Sequence, residues 1–105
     1  MTNDYREVSA ENDIYIIIAK IREQGLEVLL WVTDQNTKER SKILGKVTKI
    51  EKAKKLIWMT PHQMVVLTKQ QLSLAKIYFK TEIEFSFFEC EVERVENGLI
   101  ALKLP

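Results

Sequence analysis

The sequence predicts a mainly β fold: a small six-stranded antiparallel barrel, split or closed, with one N-terminal α-helix. Three observations point there. One early segment, "ENDIYIIIAKIREQG", carries apolar residues at helical spacing and ends on Gly25. Everything after Gly25 falls into short apolar runs separated by polar turns, which is the pattern of strands. The chain has 105 residues with three Gly and two Pro, enough for one core and without flexible linkers or low-complexity tracts. A single domain over residues 1–105 is expected, with the helix at about 11–24 and strands from 26 to 104.

The helix rests on Ile14, Ile17, Ile18 and Ile21, which stand at i, i+3, i+4 and i+7. Ser9 or Asn12 is the expected cap, and Gly25 suits the left-handed position just past the end. Glu11 and Asp13 lie at the positive pole, Lys20 and Arg22 near the negative one. A barrel of this size leaves one end open, and the Ile face is the expected plug.

The strands follow in order. "LEVLLWV" (26–32) is one, followed by the polar loop "TDQNTKE". "SKILGKVTKI" (41–50) and "KLIWM" (55–59) form a hairpin around "EKAK". "TPHQMVVLTKQQ" reads as a connection holding one helical turn, and "LAKIYF" as the next strand. In the long strand "EIEFSFFECEVERV" the apolar set passes from Ile83, Phe85 and Phe87 to Phe88, Cys90 and Val92. Such a one-residue change of phase predicts a β-bulge at Phe87–Phe88. "LIALKL" closes the set. A three-residue turn with Gly98 left-handed would pair Val92 with Leu102, Glu91 with Lys103 and Cys90 with Leu104, matching apolar with apolar.

Sixteen basic against fifteen acidic residues leave a net charge of +1, unlike the uniformly basic field of a general nucleic-acid or membrane-surface binder. One cysteine excludes an internal disulfide and a cysteine-based zinc site, and a reducing cytosol is the expected compartment. No apolar run reaches the roughly 20 residues of a membrane span, and "MTNDYREVS" does not resemble a signal peptide.

Catalytic constellations are not evident. His62 has no carboxylate or thiol near it in "TPHQM", so an ordinary loop histidine is expected. Cys90 alternates with Phe88 and Val92 as an inert core thiol would. Neither G-x-S-x-G, G-x-G-x-x-G nor a Walker-type loop occurs. The expectation is a protein that is not an enzyme and holds no cofactor or metal.

Charge is segregated instead. Eight basic and two acidic residues lie between Lys38 and Lys55, six acidic and one basic between Glu82 and Glu96. Two solvated hairpins would show this pattern, and so would complementary docking faces. Trp31 and Leu29 alternate with Val28 and Leu30 on a strand whose two faces cannot both be filled by so small a core, and surplus apolar surface marks interfaces. The candidate interaction surface is therefore Leu29 and Trp31, a basic set of Lys42, Lys46 and Lys49, and an acidic set of Glu89, Glu91 and Glu93.

The order of a spaced-apolar helix, "LEVLLWV", "SKILGKVTKIEKAKKLIWM", the aromatic "IEFSFFECEV" and a final "LIALKLP" resembles the N-terminal domain of bacterial flagellar brake proteins. That domain is a split barrel preceding a PilZ domain. The resemblance implies a role in cyclic di-GMP or motility signalling. In the family the dinucleotide is gripped by R-x-x-x-R at the domain junction and [DN]-x-S-x-x-G in the PilZ barrel. Here Arg6, Arg22, Arg40 and Arg94 never stand four apart, and Glu39, Ser41 and Gly45 miss the second motif in acid and spacing. Cyclic di-GMP is thus not expected to bind directly. What the resemblance leaves is the partner-facing module, alone or part of a longer chain: a protein partner from motility or signalling, self-association, or both. The alternatives are a small nucleic-acid-binding barrel using the Lys38–Lys55 face and a split-barrel flavin or nucleotide binder.

Overall fold

The Ile-rich segment is a helix. In the computed structural model, which describes residues 6–72, 74–80 and 85–105, α1 spans Glu11–Gln24. Ile14, Ile18 and Ile21 are buried and Ile17 is partly buried against the same core, while Ile16 faces solvent. Gly25 adopts φ 62°, and the Gly25 and Leu26 N–H groups donate to the Arg22 and Ile21 carbonyls, closing the last turn. The N-terminus departs from expectation. Ala10, not Ser9 or Asn12, occupies the cap, and no side chain bonds there. The acidic Glu11 and Asp13 still complement the helix pole.

The strands are β1 (Arg6–Glu7), β2 (Glu27–Thr33), β3 (Arg40–Glu51), β4 (Leu56–Pro61), β5 (Leu74–Lys80), β6 (Phe85–Glu96) and β7 (Leu99–Lys103). Six of them close a barrel in the order β6–β5–β2–β3–β4–β7 and back to β6, antiparallel throughout. The expected fold class is the one observed, in its closed form. β1 is an addition: two exposed residues running parallel to β6, held by the Val8 N–H donating to the Phe87 carbonyl at 2.8 Å and by burial of Val8. Two polar residues carry no periodicity, so the sequence offered no sign of it.

Two long strands build the barrel. β3 pairs with β2 through Arg40–Lys46 and with β4 through Gly45–Glu51. β6 pairs with β5 through Phe85–Glu91 and with β7 through Glu91–Glu96. Each therefore serves two sheets and must bend where it passes from one to the other. Each carries its register shift just beyond that passage, between Val47 and Lys49 in β3 and between Val92 and Arg94 in β6. A bulge supplies the bend and the added twist. At the first, the Thr48 and Thr60 hydroxyls meet at 2.9 Å.

These bulges correct the expected one. Ser86, Phe88, Cys90 and Val92 point inward in unbroken alternation, so Phe85 and Phe87 face outward and no phase change occurs at Phe87–Phe88. Ile83 lies outside the described residues. The expected pairs Val92–Leu102 and Glu91–Lys103 form, but through a different device. The turn is the two-residue Asn97-Gly98, with φ 53° and 78°, pairing Glu96 with Leu99, and the bulge at Glu93 restores the apolar register. Pairing stops at Glu91–Lys103, so the expected Cys90–Leu104 pair does not form; the Leu104 N–H continues the β4 ladder by donating to the Lys55 carbonyl.

Leu30, Val32, Ile57, Met59, Ile77, Phe88, Ile100 and Leu102 fill the interior, and the Ile face of α1 joins the same cluster. Gly45 is required where β3 meets β4: a Cβ there would run into the Thr60 carbonyl oxygen, Met59 and Pro61. After β4 the described residues 62–72 hold one 3-10 turn, at Lys69–Gln71. Among the described residues no helix is long and apolar enough to cross a membrane.

Candidate interaction surface

Alternation in β2 places Val28, Leu30 and Val32 in the core and Leu29 and Trp31 on the outside. The strand pairings on either side then extend these two residues into rows. Leu29 is level with Leu44 on β3 and Tyr78 on β5, and Tyr78 is level with Phe87 on β6. One step along the strands, Trp31 is level with Lys42 and Lys76, and Lys76 with Glu89. Beyond it, Arg40 pairs with Thr33, and Leu74 with Glu91. On the other side, Glu27 pairs with Lys46, and Lys80 with Phe85.

The outer face of the β3–β2–β5–β6 sheet thus carries an apolar and aromatic centre. Trp31 and Tyr78 have ring centroids 5.7 Å apart, and Tyr78 and Phe87 stack at 5.2 Å. Leu44 is 47% exposed and Leu74 69%. Cations lie over the rings: Lys42 at 4.8 Å and Arg40 at 5.3 Å from Trp31, Lys76 at 5.3 Å from Phe87, Lys80 at 5.3 Å from Phe85. Each such contact is worth about 0.5–1 kcal/mol at an exposed site. A groove of about 320 Å³ runs between Trp31, Arg40, Leu74, Lys76, Tyr78 and Glu89.

Of the eight residues expected in the surface, the structure brings six to this sheet. Leu29 and Trp31 form its centre, Lys42 and Lys46 its β3 edge, Glu89 and Glu91 its β6 edge. Lys49 and Glu93 are set apart, because each lies past a bulge on the second sheet. Lys49 pairs with Glu51 at 2.8 Å, and Glu93 accepts from Arg94 at 2.6 Å. The basic and acidic sets do not attract one another directly within the barrel. β2 and β5 stand between them, and among the described residues no ion pair joins the two sets. Tyr78, Phe87, Lys76 and Lys80 were missed by sequence reasoning. Their signal was the alternation in "KIYFK", together with the phase of β6, which buried Ser86 disguises because a serine reads as an outward residue.

The second tryptophan has a different role. Trp58 sits outside β4 but is 8% exposed, closed over by Arg94 at 5.3 Å, which is itself held by Glu93 and Glu96. That face is already covered; the Trp31 face is not.

Two other candidates resolve simply. His62 Nε2 lies 2.6 Å from Glu27 Oε2, a carboxylate from 35 residues earlier that its own segment does not supply. Both groups are half-exposed, and among the described residues no cluster of three His, Cys, Asp or Glu is placed to hold a metal. Cys90 is buried, and burial pushes its thiol up to about 12. At the β2–β3 loop, the Thr37 and Asn36 N–H groups donate to Asp34 at 3.0 and 2.8 Å and hold its carboxyl below the usual range.

Comparison of the chain with family models, with curated proteins and with solved structures gives no match to any of them. The surface geometry is therefore the basis for a functional reading.

Proposed function

We propose that this barrel is a non-catalytic protein-interaction module and that the outer face of the β3–β2–β5–β6 sheet is its binding surface. The observation that carries the reading is the row Leu44–Leu29–Tyr78–Phe87 beside Trp31, an apolar and aromatic strip on the side of the sheet away from the core. Interfaces concentrate aromatic residues at the centre and charge at the rim. Here the centre is Leu29, Trp31 and Tyr78, and the rim is Lys42 and Lys46 on one side, Glu89 and Glu91 on the other. A setting in motility or cyclic di-GMP signalling is supported by the order of elements quoted above, and in it the dinucleotide would be bound by another domain.

The reading is tested by placing a photo-crosslinking amino acid at position 31 in cells. A discrete protein adduct is expected there and not from position 20, an exposed site on α1. Equal adducts from both positions, or none from position 31, would remove it.

The cations over Trp31, Phe87 and Phe85 favour a second reading, a platform for single-stranded nucleic acid, in which bases stack on the rings and Lys42, Lys76 and Lys80 meet phosphates. Titration with single-stranded RNA at two salt concentrations decides it. Saturable binding that weakens steeply with salt would support it.

A further inference from the structure

We infer that the occupant of this face is a second copy of the chain, related by a two-fold axis that runs parallel to the strands between β2 and β5. The inference rests on the reading of the face as a protein-binding surface and adds partner and geometry to it.

The argument is one of pattern. A two-fold axis lying along the strands turns the face over and reverses the strand order while keeping each cross-strand row on itself. In the row Lys42–Trp31–Lys76–Glu89, reversal sets Lys42 against Glu89 of the second copy and Trp31 against its Lys76. The next row sets Leu29 against Tyr78 and Leu44 against Phe87. On either side, Arg40 meets Glu91 and Glu27 meets Lys80. Apart from Thr33 against Leu74, each contact is thus apolar with apolar, cation with anion, or cation with aromatic ring. The other in-plane two-fold axis, across the strands, would bring Lys46 up to Arg40, a like-charge contact on one edge, and Phe85 up to Glu91. Self-complementarity is what an isologous interface demands, and only the first axis supplies it.

The barrel's curvature agrees. Two convex sheets touch along their middle strands, β2 and β5, which carry Leu29, Trp31 and Tyr78. β3 and β6 fall away at the sides, where the long Lys, Arg and Glu side chains can span the wider gap. Aligned sheets cross at about 30°, which side chains of that length accommodate. Lys42 and Glu89, two strands apart within one copy, become neighbours between copies.

The test uses the full chain and light scattering over a range of concentrations. Wild type should reach the mass of two chains. Two variants separate charge steering from simple stickiness: R40E/K42E, whose face is acidic on both edges, and E89K/E91K, whose face is basic on both. Each alone should self-associate at least about tenfold more weakly. Their equimolar mixture should restore a 1:1 dimer, and adding Trp31→Glu to both should abolish it. Wild type remaining a monomer at every concentration would overturn the inference. So would variants that dimerise as wild type does, or a mixture that stays monomeric while wild type pairs. A monomer whose face takes RNA in a salt-sensitive way overturns it in favour of nucleic acid. A monomer that crosslinks from position 31 to an unlike protein overturns it while leaving the interaction reading intact.

Discussion

Cys90 shows how burial sets chemistry at the level of one residue. It is 3% exposed between Phe88 and Val92, and its thiol is pushed up to about 12. A thiol reagent near neutral pH should therefore label it at the rate of global unfolding, and label it promptly in denaturant; fast labelling of native protein would contradict the packing. Gly45 is a second such point. With no room for a Cβ beside Thr60, Gly45→Ala should cost about 1–3 kcal/mol, read as a lower unfolding midpoint in urea. Asp34 adds a pH dependence. Its carboxyl is held down in the folded state by the Thr37 and Asn36 N–H groups, so its contribution is present above the unfolded carboxylate range and is lost as pH falls through the folded value. The gap in melting temperature between wild type and Asp34→Ala should be widest near neutral pH and close in acid. Single-residue readings such as buried Cys90 were legible because its neighbours alternate. The His62–Glu27 contact was not, since it joins residues 35 apart through a strand pairing that no local pattern encodes.

Elements were legible wherever periodicity was strong. Whereas the turn at Asn97-Gly98 has two residues and not the expected three, the Ile spacing of α1 and the alternation of β2 each stated their own geometry. The bulges did not, because a bulge is decided by where a long strand leaves one sheet for another. In β3 the step from Val47 to Ile50 skips Thr48 and Lys49, a phase change visible in the sequence but easily taken for a turn. In β6 the aromatic run "FSFF" mimicked a phase change that buried Ser86 refutes. The plug role of α1 gives a prediction at this scale. Ile18→Ala should lose about 2–5 kcal/mol and Ile21→Asp should unfold the domain, while Ile16→Ala on the exposed side should leave the melting temperature close to wild type. Equal tolerance at all three positions, read by circular dichroism, would show that the helix does not close the barrel.

For the whole molecule, the candidate surface was legible in outline. Leu29 and Trp31 announced an outward apolar face, and the two charged segments announced its edges. What linear reading could not supply was order around the barrel. β5 and β6 come late in the chain yet lie beside β2, which is why Tyr78 and Phe87 join Trp31 and why Lys49 and Glu93 drop out. The same order turns two charged segments that might have neutralised each other into opposite edges of one face. Because Trp31 is outside the core, Trp31→Glu should cost only about 0.5–1.5 kcal/mol, the scale of its aromatic contact, and leave a folded barrel. The most direct measurement of the central claim follows from there being two tryptophans. In a Trp58→Phe variant all tryptophan fluorescence comes from Trp31, and acrylamide quenching reads its exposure. If the face is a binding surface closed by a second copy, quenching should fall and the emission shift to the blue as protein concentration rises, with both changes reversed on dilution. Quenching that stays equally strong from dilute to concentrated solution would contradict it.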